Sequence, residues 1–243
     1  MFLFRSLFLL VLFLSSGPLH AQMAAENKNV DPFESINRVM FALNNELYHY
    51  ALRPAVETYQ FIMPDVAERG VHNFFANLVD VNAIFNSILQ GRIDKAAITS
   101  GRFLVNTTFG IAGFVDVATA MGIERYRTDF GYTLALWGVQ PGPYLMVPLF
   151  GPHTLRSGTG VVVDIYSSPP TYLDDVAWRN SLYALSLVDG RSGLIQAEQL
   201  LSGDRYLFVR DAYLQQRDAF VNDGVVEDNF SNFDEDEEWG DEF

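Results

Sequence analysis

The chain has 243 residues, with 49% hydrophobic and 19% charged side chains and a formal net charge of -14. A chain this long and this apolar builds a sizeable core, and its acidity argues against nucleic acid as a partner, because phosphate binding needs a basic face. It contains no cysteine, which removes disulfides, thiolate catalysis and cysteine-ligated zinc.

The first 21 residues read as a secretory signal peptide. Arg5 supplies the positive start, Leu7 to Leu14 the apolar stretch, and Leu19-His20-Ala21 a small-residue cleavage site. That apolar stretch falls short of the about 20 residues a membrane-spanning helix needs. Residues 22–30 form a polar lead-in.

From residue 31 the pattern is helical. In the stretch DPFE, Asp31 is placed as N-cap, Pro32 as the first helical residue and Glu34 as the third, a capping box. Phe33, Ile36, Met40, Leu43 and Leu47 follow at steps of three and four, an amphipathic stripe. The helix is expected to end near Arg53, since Pro54 disfavours helical backbone in the residue before it. A second helix is expected from Pro64-Asp65 through Val71, Phe74, Phe75 and Leu78. A third runs through Ile84, Phe85, Ile88 and Leu89 and is closed by Gly91. A fourth starts near Ile93 and passes through Leu104 and Val105.

Residues 103–122 (FLVNTTFGIAGFVDVATAMG) are nearly membrane-like, yet Asn106, Thr107, Thr108, Asp116 and several glycines interrupt them. Composition leaves two readings open, a buried core helix or a segment at a lipid interface. Residues 137–152 (WGVQPGPYLMVPLFGP) carry no charge and too many prolines for either a helix or a central strand. A glycine-rich, apolar stretch covers 155–166, a long helix is expected over 176–201, and a last one over 204–222 with Tyr206, Val209, Tyr213 and Phe220 on one stripe. Residues 225–243 form an acidic tail expected to be disordered; half of the net charge sits in the last ten residues. The fold class read from this pattern is mostly α, in one domain spanning 31–224.

Catalytic signatures do not emerge. His20, His49, His72 and His153 stand far apart, with no zinc-binding helical pair, and there is no G-x-S-x-G elbow or phosphate-cradling loop. Asp164, Asp174, Asp175 and Asp189 show no spacing that singles out an acid–base pair. The acidic tail lacks the glycine and closing glutamate of a calcium loop. Arg205, Arg210 and Arg217 alternate with Asp204, Asp211 and Asp218, as on a charge-paired exposed helix face. An exported, aromatic-rich helical chain without such signatures points to binding or transport of something apolar, with no metal and no cofactor.

Several stretches resemble the MlaA (VacJ) family: DPFESINRVMF at 31–41, NFFANL at 73–78, SILQG at 87–91, GRFLVNTTFGIAGFVDVA at 101–118, the block 129–156, and DRYLFVRDAYLQQRDAF at 204–220. The resemblance implies an outer-membrane component on the periplasmic side that removes misplaced phospholipid from the outer leaflet and is not an enzyme. It implies a ring of amphipathic helices around a channel, with a short β-like hairpin. Its implied partners are phospholipid, the outer membrane, a periplasmic lipid carrier (MlaC) and a trimeric porin. In such a channel, Asn106, Thr107, Thr108, Phe109, Phe114 and Asp116 would offer both polar and apolar wall, and Gly138, Pro141, Gly142, Pro143 and Tyr144 would form a hairpin gate. One departure stands out: most members carry a lipobox cysteine after the signal peptide, and here Leu14-Ser15-Ser16-Gly17 is followed by Pro18. Without an acyl chain, attachment rests on apolar helix faces, a porin or an uncleaved signal.

Overall fold

The computed structural model describes residues 30–192 and 203–222. The expected signal peptide, the lead-in before residue 30, positions 193–201 of the helix expected over 176–201, and the acidic tail lie outside the described residues. Nine α-helices and one β-hairpin are found within them.

Helix α1 covers Glu34–Leu47 and begins later than the capping box implies. Phe33 holds the N-cap position without a side-chain bond, and Glu34 pairs instead with Arg38 one turn on, at 2.8 Å. Asp31 has another task. Its carboxylate is buried, where an ionised group needs several donors. It takes them from the Asn37 amide (2.8 Å) and from the Tyr206 hydroxyl, with the Arg210 guanidinium at 3.6 Å.

The chain also does not stop at Arg53. A π-helical turn, Tyr48–Leu52, leads straight into α2, Arg53–Ile62. Pro54 has no N–H to donate and would crowd the carbonyl four residues back; the wider turn just before it accommodates both problems. The break comes instead at Met63, extended as a residue before proline is expected to be.

Helix α3 is one continuous 25-residue element, Asp65–Leu89, where two helices were expected. Its buried face holds Asn77, Asp80, Asn86 and Ser87 beside Val71, Phe75 and Ala83. Gly91 closes it, and α4 (Ile93–Phe109) packs back against it. The membrane-like stretch 103–122 is therefore not one helix. After Phe109 the chain enters a left-handed turn, Ile111, Ala112 and Gly113 all at positive φ, then the short α5, Val117–Ala120, capped by Asp116.

Helix α6 (Phe130–Leu136) is capped by Asp129, whose carboxylate accepts from the Tyr132 N–H at 2.7 Å. Gly138 ends it at φ 86°, donating to the Ala135 carbonyl while Val139 donates to Leu134, a pairing that requires a residue able to turn left-handed. The proline- and glycine-rich stretch then forms the hairpin, β1 (Tyr144–Val147) antiparallel to β2 (Gly151–Thr154), with Tyr144 opposite Thr154 and Val147 opposite Gly151. Its turn is Pro148–Leu149–Phe150, with Leu149 at φ 67°; the turn expected at Pro141–Pro143 is the approach to the first strand. Pro148, expected at a strand edge, sits in the turn, where a missing N–H costs no ladder bond.

Thr154 and Ser157 make a reciprocal capping box that starts α7, Leu155–Ser167. A 3-10 turn, Pro169–Tyr172, leads to α8 (Val176–Ser192), and Asp204 caps α9 (Arg205–Val221). At the crossing of α6 and α7 a side chain on Gly160 would place its Cβ 2.5 Å from the Gly131 nitrogen, so only glycine permits that approach.

The packing closes into a ring. Helix α1 runs into α2, α2 packs on α8, α8 on α3, α3 on α7, α7 on the hairpin and the hairpin on α1, with α9 against the second strand. The closure is made by side chains of α1. The Asn37 amide donates to the Tyr144 carbonyl (3.0 Å) and its oxygen accepts from the Met146 N–H (2.9 Å). One heptad on, Asn44 donates to the Val147 carbonyl and accepts from the Leu149 N–H. Two asparagines thus pair with the open edge of β1. The small apolar core, Tyr144, Met146 and Tyr206, lies beneath, with Phe41 and Tyr213 against it.

Replacing Asn37 with alanine leaves a buried carboxylate, carbonyl and N–H each one partner short. It is expected to lower unfolding stability by about 3 kcal/mol, read by denaturant titration of the detergent-solubilised protein.

Candidate functional site

The surface is the first unusual feature. Of the stripe of α1 read from the sequence only Met40 packs against the core: Ile36 is 58% exposed, and Phe33, Leu43 and Leu47 are also exposed, as is Val39 beside them, while Asn37, Phe41 and Asn44 point inward. The pattern continues around the molecule, through Phe61 and Ile62 on α2, Phe109, Ile111 and Phe114 after α4, and Tyr166, Tyr172 and Trp178 farther on. Phe61 is 90% exposed. Monomeric soluble proteins do not carry apolar rims of this extent.

The interior is the complement. Among the described residues, fully buried polar and charged side chains outnumber buried apolar ones. The largest of them, Arg102, is 1% exposed and lies between Asp80 (3.5 Å) and Asp116, while Arg125 reaches the other oxygen of Asp80 at 3.2 Å. Burial pushes the Asp80 carboxyl up from its ordinary range, and the two arginines offset this only in part. Burial acts the same way on Asp116, but hydrogen bonds from the Thr119 hydroxyl and N–H, Asn106 and Arg102 outweigh it and hold the group at about 2. A second polar knot joins α3, α6 and α7. Asn86 and the Phe130 N–H both donate to the Asp164 carboxylate, at 2.9 and 3.0 Å, and the Thr133 hydroxyl donates to Asn86.

Two clefts open within this frame. One, of 730 Å³, is mostly apolar and lies between α1, α2, the hairpin turn, α8 and α9; Phe41, Tyr48, Leu52, Leu149, Leu187 and Phe208 are on its walls. The other, of 630 Å³, is the polar cleft in the sense that it gathers ionisable groups on walls that are still largely apolar; it lies between α3, the loop before α6, α8 and α9, with His72, Asp80, Arg125, Arg127, Asp189 and Arg217 beside Phe75, Val79 and Phe220. They share two helices. Ala184, Leu187, Val188 and Arg191 face the apolar cleft, and Ser186, Asp189 and Gly190 the polar one, so opposite faces of α8 serve each. On α9, Phe208 and Val209 face the first cleft, and Gln216, Arg217 and Phe220 the second.

The residues singled out from the sequence fall elsewhere. Asn106 is buried and spends its amide on Asp116 and its oxygen on the Ala118 N–H. Asp116 completes the same knot. Thr107, hydrogen-bonded to Asn77, and Thr108 are exposed, as are Phe109 and Phe114, the latter stacked on Phe74 at 5.1 Å. None of these six lines either cleft. Gly138, Pro141, Gly142 and Pro143 form the loop leading to the hairpin, held by the Arg156 N–H on the Pro141 carbonyl and its guanidinium on the Val139 carbonyl. Tyr144 is 0% exposed and belongs to the core. From this segment it is Met146, Leu149 at the hairpin tip, Gly151 and Pro152 that reach the apolar cleft.

Arg210 and Arg217 also depart from the charge-paired exposed face expected of α9. Arg217 is largely buried and forks onto both oxygens of Asp129, at 2.5 and 2.7 Å, while Arg210 reaches Asp31 as well as its neighbour Asp211. His72 joins Asp189 at 3.0 Å, and the His153 ring lies 3.2 Å from the Gly151 carbonyl oxygen. Sequence reasoning missed Arg125 and Arg127; the sign available was their i, i+2 spacing around Tyr126 in a stretch with no helical pattern.

An apolar rim, a polar interior and paired clefts define an inside-out helical ring. The chain belongs to the MlaA lipoprotein family, whose model matches residues 29–220. It is 35% identical over 204 residues to the intermembrane phospholipid transport system lipoprotein MlaA of Escherichia coli, covering 81% of this chain and 80% of that one. An uncharacterized protein of Rickettsia typhi is likewise 35% identical, over 195 residues, covering 79% and 78%. A solved chain from work on the structural basis for maintenance of bacterial outer membrane lipid asymmetry superposes with a TM-score of 0.69 at 34% identity, covering 79% of this chain and 98% of that one. No helix among the described residues is long and apolar enough to cross a membrane.

The knot at Arg102 has a measurable signature. Asp116→Asn removes one of the two carboxylates beside a buried guanidinium and is expected to cost about 3 kcal/mol at neutral pH. Because the folded Asp116 carboxyl is depressed, its contribution is present above the ordinary carboxylate range and is lost as pH falls through that range towards about 2. Stability curves of wild type and variant should therefore converge in acid.

Proposed function

We propose that this chain carries phospholipid across the interface between the outer membrane and the periplasm, taking mislocalised lipid from the outer leaflet and passing it unchanged to a periplasmic carrier, beside a trimeric porin. The observation that supports this most directly is the inversion of surface and interior. Burying apolar surface gains about 25 cal/mol per Å². The exposed rim on α1, α2 and the segment after α4 therefore favours acyl chains over water, and the ring lies in one leaflet rather than spanning both. The names of the relatives, phospholipid transport and outer-membrane lipid asymmetry, agree with this reading.

The two clefts suit the two halves of a phospholipid. Its chains need a wall such as Leu52, Leu187 and Phe208, and its headgroup needs hydrogen-bonding groups such as those of the polar cleft. Passage requires that neither hold the lipid tightly. The polar and apolar groups at 106–116 belong to this proposal as packing behind the rim: Asn106 and Asp116 keep α4 and α5 in register, while Phe109 and Phe114 meet lipid on the outside. The role of the ring is transfer rather than chemistry.

Cells lacking the chain are expected to accumulate phospholipid in the outer leaflet, measured by outer-leaflet lipid labelling. Wild type restores asymmetry. The Phe61→Asp/Ile62→Asp double variant, with two charges on the rim, does not, and it partitions poorly into phospholipid vesicles. Unchanged outer-leaflet lipid in the deletion strain contradicts the proposal, and release of free fatty acid from vesicles would point to a hydrolase instead.

The hairpin is the proposed gate. Gly138 and Gly142, both at positive φ, hinge the loop with Pro141 and Pro143, Tyr144 is the fixed pivot, and Leu149 is the tip over the apolar cleft. A Cβ on Gly142 would stand 3.0 Å from that of Leu155, closer than the about 3.5–4.5 Å of a relaxed disulfide, so the left-handed loop must shift by about half an ångström or more to accept the bridge. In this cysteine-free chain the pair Gly142→Cys and Leu155→Cys should block lipid transfer when oxidised and release it when reduced. Transfer that continues in the oxidised form removes the gate.

A further inference from the structure

The polar cleft holds three aspartates and three arginines, yet the pairing among them leaves one arginine out. Its carboxylates are already claimed. Asp129 is held by both arms of Arg217, Asp80 by Arg125 and Arg102, and Asp189 by His72 and, at 3.5 Å, the Tyr59 hydroxyl. Arg127 lines the same cleft and is exposed within it, and no hydrogen bond or ion pair engages it among the described residues. A chain of net charge -14 with 16 lysines and arginines in all has placed in this wall a guanidinium that no carboxylate pairs among the described residues. It stands two residues from Arg125 in an irregular stretch, and both side chains line the same cleft.

None of the three carboxylates of the cleft pairs with that group. What fits instead is a ligand anion. A guanidinium presents parallel N–H donors that match the two non-bridging oxygens of a phosphodiester. The neighbouring apolar cleft says which phosphodiester. From Val209 to Arg217, α9 advances about 12 Å. A phospholipid leaflet is about 20 Å deep from chain ends to headgroup. A lipid with chains against Phe208 and Val209 thus brings its phosphate level with the polar cleft. We infer that Arg127, steered by the pinned Arg125 beside it, is the phosphodiester subsite of the passage, a position where a glycerophospholipid is held by its phosphate while its chains occupy the apolar cleft.

This rests on the reading of the chain as a phospholipid carrier, and the experiment separates the two. Isothermal titration of the full chain in detergent is carried out with dihexanoylphosphatidylglycerol, with dihexanoylglycerol, which has the same chains and no phosphate, and with inorganic phosphate. Arg127→Gln is expected to weaken the phosphatidylglycerol about tenfold and leave dihexanoylglycerol unchanged, with Arg127→Lys retaining most of the affinity. Arg127 is exposed and makes no hydrogen bond or ion pair among the described residues, so the variant should keep the wild-type unfolding midpoint. Equal weakening of both lipids, or of neither, overturns the subsite and leaves the carrier reading standing. Inorganic phosphate that binds as tightly as the lipid overturns the assignment to a headgroup. Failure of wild type to bind either lipid overturns the carrier reading, and the subsite with it.

Discussion

The ring is held shut by side chains acting as backbone. A lone two-stranded hairpin is marginal in water, and its free edge leaves N–H and C=O groups without partners. Here Asn37 and Asn44 take the place of a third strand, one heptad apart on α1. Asp31 then anchors Asn37 from behind and receives the Tyr206 hydroxyl from α9. Remove this joint and α1, the hairpin and α9 no longer share a core, so the apolar cleft between them loses three of its walls. An amide is suited to the task, because it carries donor and acceptor side by side, in the order in which a strand edge presents its complements.

Much of the architecture was legible along the chain, and the failures have a common cause. Helical periodicity placed α1, α4 and α9, and Gly91 marked a real end. The stripe through Ile36, Leu43 and Leu47 was visible too, but periodicity reports that one face differs from the other, not which of them meets solvent. In this protein the polar face is the inner one. The same inversion runs along α3, which the apolar positions alone divide in two: Asn77 and Asp80 are buried against the Gly113 turn and Arg125. It explains Asp116 and Asn106 as well, whose polarity in an apolar stretch suggested channel wall and in fact serves a buried guanidinium. Asp31 was read locally, as a cap for its own helix, while its partners lie 6 and 175 residues away. The hairpin segment was recognisable from its prolines and glycines, although only the register shows that the turn falls at Leu149.

The clefts were not legible at all. Each is assembled from helices distant in sequence, and α8 contributes opposite faces to both. That helix carries little amphipathic contrast because neither of its faces is plain surface. Arg127 follows the same logic. An arginine in an irregular stretch is unremarkable until its neighbours prove to be spoken for.

The polar interior has a thermodynamic consequence. Unfolding an ordinary domain exposes buried hydrocarbon to water, which raises the heat capacity by about 12–15 cal/mol/K per residue and curves the stability profile. In this chain much of the hydrocarbon is on the outside before unfolding begins, and what emerges is largely amide, carboxylate and guanidinium, whose hydration lowers the heat capacity. The folded ring should therefore have a shallow dependence on temperature and a weak dependence on denaturant for its size. Its tolerance of heat and cold would come from geometry and hydrogen bonding, with the surrounding lipid supplying the hydrophobic share that other proteins keep inside.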